Sequence, residues 1–178
     1  MRMHVAQIRS MPEYFDRYIH CVPEKNLRDA LKANGAELIE TFSAEIMQLG
    51  NRAYAPGKWT IADILQHLVD SERVFSYRAM RFARNDQTVL AGFDENLYAA
   101  EAHRNIRDIS LILEEFKNVR AGSINLFDSF DETELQRTGQ TFAGSISVLA
   151  LGFTLAGHVI HHVNVMKERY FPLLQNQT

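Results

Sequence analysis

Between residues 146 and 170, one apolar stripe at helical spacing (Val148, Leu151, Leu155, Val159, Val163 and Met166) takes two histidines with it. His162 falls within the stripe and His158 close to its edge. A helix advances about 100° per residue, so side chains four apart stand one above the other on a single face. A chain that aims two imidazoles into an apolar face must find a partner for each ring nitrogen it removes from water. The fold is therefore one in which another element faces this stripe and supplies those partners. His161 projects instead to the polar side with Glu168. The His158/His162 pair has the spacing with which two imidazoles reach one metal ion, and it equally fits two core histidines satisfied by hydrogen bonds.

Three earlier stretches show the same period. Leu27, Ala30, Leu31, Phe42, Ile46 and Leu49 follow it over residues 26–50, with Asn26 as N-cap, Gly50 as stop and a bend expected at Gly35. Thr60 opens a second helix, with Asp63 in its first turn and Ile64, Leu65, Leu68, Phe75 and Ala79 inward, running to about Arg84. A third runs from about Asp108 to Ser129 on Ile109, Ile112, Leu113, Phe116, Val119 and Ile124. Ser145 is the expected cap of the fourth, histidine-bearing helix, which ends near Tyr170 and Pro172. With no convincing alternation of strand residues between them, these segments predict an all-α four-helix bundle. The 85–104 connection is long enough to cross the bundle between helices two and three.

Metal sites in bundles draw ligands from facing helices, and His67, on the flank of the second helix's stripe, is the candidate third ligand. The 85–104 connection mixes Val89, Leu90, Phe93, Leu97 and Tyr98 with Asp94 and Glu95, a blend suited to folding over a pocket mouth. Residues 92–98 are expected to line that pocket, with Glu95 as a proton acceptor or as a group orienting His67. Asp70, Glu72 and Asp94 read as helix-face or loop charges, and Trp59 as a packing anchor. Arg73, Arg78, Arg81 and Arg84 read as one solvated face, and His4, His20 and His103 as ordinary.

Composition narrows the function classes. At 178 residues the chain is read as one domain, with residues 1–25 as a leader whose aromatic cluster packs on the body. A net charge of −3 and no run of Lys or Arg argue against nucleic acid as a partner. No uninterrupted apolar run reaches the roughly 18–20 residues that cross a bilayer; 146–156 comes nearest. A lone Cys21 precludes an internal disulfide and fits a reducing, cytoplasmic setting. No Gly-rich phosphate loop, Gly-x-Ser-x-Gly elbow or Cys pair is present.

Four segments, taken in order and at their separations, carry a family resemblance. They are Tyr54-Ala55-Pro56-Gly57-Lys58-Trp59-Thr60-Ile61, His67-Leu68-Val69-Asp70-Ser71-Glu72-Arg73, Gly92-Phe93-Asp94-Glu95-Asn96-x-Tyr98 and Gly157-His158-x-x-His161-His162. Together, from Pro12 to Tyr170, they resemble the DinB-like (damage-inducible B) superfamily. The resemblance implies a four-helix bundle with a crossover, often a homodimer, that binds one divalent metal, zinc or nickel, through His67, His158 and His162. It also implies a small-molecule substrate. Members with assigned activities, such as bacillithiol transferases and mycothiol-dependent isomerases, use the metal to lower the pKa of a low-molecular-weight thiol for attack on an electrophile. Metal-dependent hydrolysis, or metal or ligand binding without catalysis as a stress protein, are the alternatives.

Overall fold

The computed structural model describes residues 3–23, 25–103 and 107–175, apart from the side chains of 36–38. Its long helices begin where the sequence offers caps. Helices α1 (Asp16–Ile19), α2 (Leu27–Ala33), α3 (Ala36–Thr41) and α4 (Ser43–Leu49) lead into α5 (Ile61–Ala83). Thr60 caps α5 in a reciprocal box: its Oγ1 accepts from Asp63 N at 3.1 Å while Asp63 Oδ2 accepts from Thr60 N at 2.8 Å. Asn26 caps α2, accepting from Asp29 N at 3.0 Å, and Asp108 caps α7 (Ile109–Asp128). Helix α9 (Val148–Val165) starts later than expected, capped by Ser147 rather than Ser145, which sits in a strand.

Four helical positions form the bundle: α5, α7, α9 and the α2–α4 segment. That last segment is not the single helix expected over 26–50. It breaks at Gly35 and again at Phe42. The cause of the first break lies outside the segment. Arg120 of α7 reaches into it and donates Nη1 to Leu31 O at 3.0 Å and Asn34 O at 3.3 Å, satisfying carbonyls that α2 leaves open. A Cβ on Gly35 would stand 2.8 Å from Arg120 Cγ, so the glycine makes room for the arginine. The same guanidinium forms a two-pronged pair with Glu72 of α5, both bonds 2.7 Å, and donates Nη2 to Leu155 O of α9. One buried cation therefore ties all four positions together.

Two connections hold structure that periodicity did not reveal. The 85–104 loop contains α6 (Glu95–His103), whose single buried residue, Ala99, is too little to make an apolar stripe. Residues 131–147 hold α8 (Glu132–Gln136) and an antiparallel hairpin, β1 (Thr138–Thr141) and β2 (Gly144–Ser147), so the expectation of no strands is corrected. Its inward positions on β1 are Gly139 and Thr141, and without large apolar residues they carry no period-two signal. Gly139 lies against Phe82, where a Cβ would come within 2.0 Å of the ring.

The buried apolar side chains fall into two clusters. One joins the leader, α2, the second half of α5 and the first half of α9; the other joins the first halves of α5 and α7 to the second half of α9. His158 lies between Ala156 of the first and Val159 of the second, so the histidines occupy the seam. Phe15 and Ile19 of residues 1–25 are buried in the first cluster. Beyond α9 a π-helical turn (Met166–Tyr170) leads to α10 (Pro172–Gln175), and Tyr170 OH donates to Trp59 O at 2.6 Å. The stretch Val148–Gln175 is long and apolar enough by composition to cross a bilayer, but 72% of its most apolar window is buried by the rest of the fold.

Candidate metal centre

The i, i+4 spacing on α9 and the opposing position on α5 bring His67, His158 and His162 together, with ligand-capable atoms all within 4.8 Å of one another. Their Nε2 atoms converge. His158 Nε2 lies 3.1 Å from His67 Nε2 and 3.0 Å from His162 Nε2. Each Nε2 carries either one N–H or one lone pair, so His158 Nε2 can satisfy only one of its two contacts by a hydrogen bond. A cation that takes three lone pairs satisfies every contact at once. Two nitrogens about 2.0–2.1 Å from one ion at a tetrahedral angle stand roughly 3.3 Å apart, close to the spacing here. The donor set therefore fits a divalent metal.

The surroundings prepare the rings for that role. Burial pushes the His67 imidazole down to about 4, with His161 adding to the effect, and burial followed by the neighbouring histidines holds His158 and His162 well below the usual range. All three are neutral at pH 7, as metal ligation requires. Ser71, one turn on from His67, places Oγ 3.4 Å from His67 Nδ1 and so leaves Nε2 free to face the cluster. Trp59 packs on His67 with ring centroids 4.9 Å apart, and Tyr18 meets His158 edge-on at 4.9 Å. Tyr18 arrives on the leader, which approaches α9 closely only because residue 157 is glycine: a Cβ there would stand 1.8 Å from Tyr18 O.

The cluster forms one wall of a cavity of about 130 Å³, which Trp59, Phe75, Phe93, Arg78, Glu95 and Phe142 also help to line. Phe93 and Glu95 of the 92–98 stretch reach it, whereas Leu97 and Tyr98 stay largely exposed. Glu95 opens α6, whose first turn is held by Asp94 Oδ1 accepting from Asn96 N and Leu97 N. A larger cavity of about 230 Å³ elsewhere on α5 touches Asp63, His103 and Arg107, but those groups are already paired with one another's neighbours: Asp63 with His103 and Thr60, Arg107 with Gln66 and Glu115.

Several readings of single residues change. Trp59 is a cavity wall as well as an anchor, and His161 also lines the cavity, although its ring stands outside the converging nitrogens. Glu72 belongs to Arg120, while Asp70 accepts from Gln66 and lies 3.9 Å from Arg73. Arg78 is no part of a solvated face: it is 2% exposed and lines the cavity. A basic residue eleven positions after His67, and thus on nearly the same helix face, was the signal that could have found it.

No curated protein matches the sequence significantly. Among solved structures the fold is similar to that of YfiT from Bacillus subtilis, with a TM-score of 0.73, 16% identity, and coverage of 93% of this chain and 91% of that one. That protein is described as a probable metal-dependent hydrolase with an unusual four-helix bundle topology. The sequence model of the DinB superfamily matches residues 10–166, and so the chain that assembles this three-histidine cluster belongs to the DinB superfamily.

Proposed function

We propose that this chain is a divalent-metal-dependent enzyme that activates a low-molecular-weight thiol for transfer to an electrophilic small molecule. The observation that carries the reading is three neutral histidine nitrogens converging on the wall of a cavity of about 130 Å³ that aromatic side chains help to line. When bound there, a zinc or nickel ion supplies Lewis acidity that lowers the pKa of a thiol or of water, because neutral imidazoles leave its dipositive charge uncompensated. The chain's own residues do the rest. Ser71 orients His67; Trp59, Phe75 and Phe93 exclude water from the reacting groups; Glu95 is the carboxylate on the cavity wall that accepts the nucleophile's proton.

Hydrolysis at the same site is the second reading, favoured by the description of YfiT and by Glu95, which would serve equally to accept a proton from water. Metal analysis of the purified protein, followed by conjugation assays with several cellular thiols, tests both. About one metal per chain is expected, lost in His67→Ala, His158→Ala and His162→Ala and kept in His161→Ala. Equal loss in His161→Ala would sink the ligand assignment. Glu95→Gln should slow thiol conjugation with metal content unchanged; a roughly 10- to 100-fold fall in metal affinity would instead make Glu95 an orienting group. Metal-dependent ester cleavage that needs no thiol would transfer the reading to the hydrolase.

A further inference from the structure

Among the described residues two guanidiniums are buried, those of Arg78 and Arg120, and they differ in one respect. Arg120 spends its donors on Glu72 and on three backbone carbonyls. Arg78 is equally buried, at 2% exposure, yet donates Nη2 to Ala91 O at 2.8 Å and leaves Nη1 buried without a hydrogen-bond partner. Among the described residues no carboxylate pairs with it. Its guanidinium lies instead 5.7, 6.0 and 5.9 Å from the ring centroids of Phe75, Phe93 and Phe142. Ring faces offset only part of the cost of burying a charge whose N–H groups stay unpaired. Arginine remains protonated even when burial lowers its pKa, as it does here, so the charge is present at neutral pH.

The location of this charge says what it is for. His67, Ser71, Phe75 and Arg78 all line the histidine cavity from one face of α5. His67 and Arg78 are eleven residues apart, a helical rise of about 16 Å between their Cα atoms. The cavity thus counts among its lining residues the histidine cluster, the Arg78 side chain and the aromatic rings of Phe75, Phe93 and Phe142. The Phe142 ring comes from the turn of the hairpin and the Ala91 carbonyl from the α5–α6 connection, so two separate segments hold the guanidinium in place.

We propose that the cavity binds its small molecule through a carboxylate paired with the under-satisfied Arg78 guanidinium, with Phe75, Phe93 and Phe142 flanking the apolar body of the ligand. The inference names the substrate class of the site proposed above and rests on that reading only for its catalytic meaning. A monoanion fits better than a phosphate dianion, because among the described residues one guanidinium lines the cavity and Glu95, also in its lining, repels further negative charge. A neutral analogue of the same shape leaves the guanidinium charge uncompensated and forfeits a charge-assisted bond.

Benzoate, its neutral isostere benzamide and inorganic phosphate are titrated calorimetrically into metal-free and metal-loaded protein. Benzoate is expected to bind at least 10-fold more tightly than benzamide in both forms, and phosphate is expected not to displace it. Arg78→Met, checked for folding by circular dichroism, should lose at least 10-fold in benzoate affinity while keeping its metal content. If that variant does not fold, the wild-type comparison of benzoate with benzamide decides alone. Equal binding of the two, no benzoate binding, displacement by phosphate, or wild-type affinity in folded Arg78→Met overturns the inference. Benzoate binding confined to metal-loaded protein also overturns it while leaving the metal reading intact. Arg78-dependent binding by a protein that takes up no metal sustains the inference and sinks the metal reading.

Discussion

Gly157→Ala adds one methyl group beside His158 and tests how the leader holds the site together. The added Cβ would stand 1.8 Å from Tyr18 O and 2.5 Å from the Tyr18 carbonyl carbon. Ordinary contact needs more than 3 Å, so the leader backbone or α9 must move by about 1.5 Å, and interiors packed to crystal density have no slack of that size. Truncating a side chain does not relieve the clash, because the obstructing atoms are main chain. The same carbonyl accepts from Cys21 N at 3.0 Å, and the residues on either side of the clash include Ile19, 0% exposed, and Phe15, 2% exposed. Overpacking of this kind costs about 1–3 kcal/mol, and the upper end is expected where backbone must shift. For a chain of this length that is a fall in Tm of roughly 6–12 °C, at about 2–4 °C per kcal/mol. Because Tyr18 leaves the His158 ring as the leader moves, metal affinity should fall as well. Thermal unfolding followed by circular dichroism reads the first effect and metal titration the second. A Gly157→Ala protein that melts within 2 °C of wild type would refute the close approach of the leader to α9.

Arg120→Met leaves Glu72 buried without its partner and should cost about 3–5 kcal/mol in urea unfolding; a loss below 1 kcal/mol would show that the pair is not the tie described. In metal-free protein the depressed histidines make stability depend on pH. The unfolded chain takes up protons first, near the ordinary value of 6.5, so their contribution is complete above that pH and is lost as pH falls toward the folded-state value, about 4 for His67. For His67 alone the loss between pH 7.5 and 5 is about 2 kcal/mol, read as a shift in urea midpoint; a metal-free His67→Ala protein with an undiminished pH dependence would remove the attribution. We also propose the homodimer that the family resemblance implies, and light scattering at micromolar concentration should give twice the chain mass of 20.4 kDa. A mass of 20.4 kDa would end that proposal.

What the sequence determined by itself is whatever depends on neighbours within one or two helical turns. Thr60 with Asp63, Asn26 with Asp29 and Asp108 with Ser110 are local pairs, and they place the starts of α5, α2 and α7 without reference to the rest of the chain. The phase of His158 and His162 is likewise a property of one helix. His67 lies on the flank of its stripe, so periodicity only weakly aims it inward; it is the candidate third ligand because metal sites in bundles draw on facing helices, and the family's motif order points to the same residue. The tertiary structure decided everything that turns on a contact far along the chain. Arg73, Arg78, Arg81 and Arg84 have similar local contexts, but only Arg78 is covered, by Phe93 and by Phe142 from the hairpin, and left with an unused donor. Gly35 ends α2 because Arg120 arrives from α7, and Gly157 is required because Tyr18 arrives from the leader. Burial makes the difference in each case: whether a charge is solvated or a Cβ has room depends on which distant segment lies above it, and that is settled only when the elements pack.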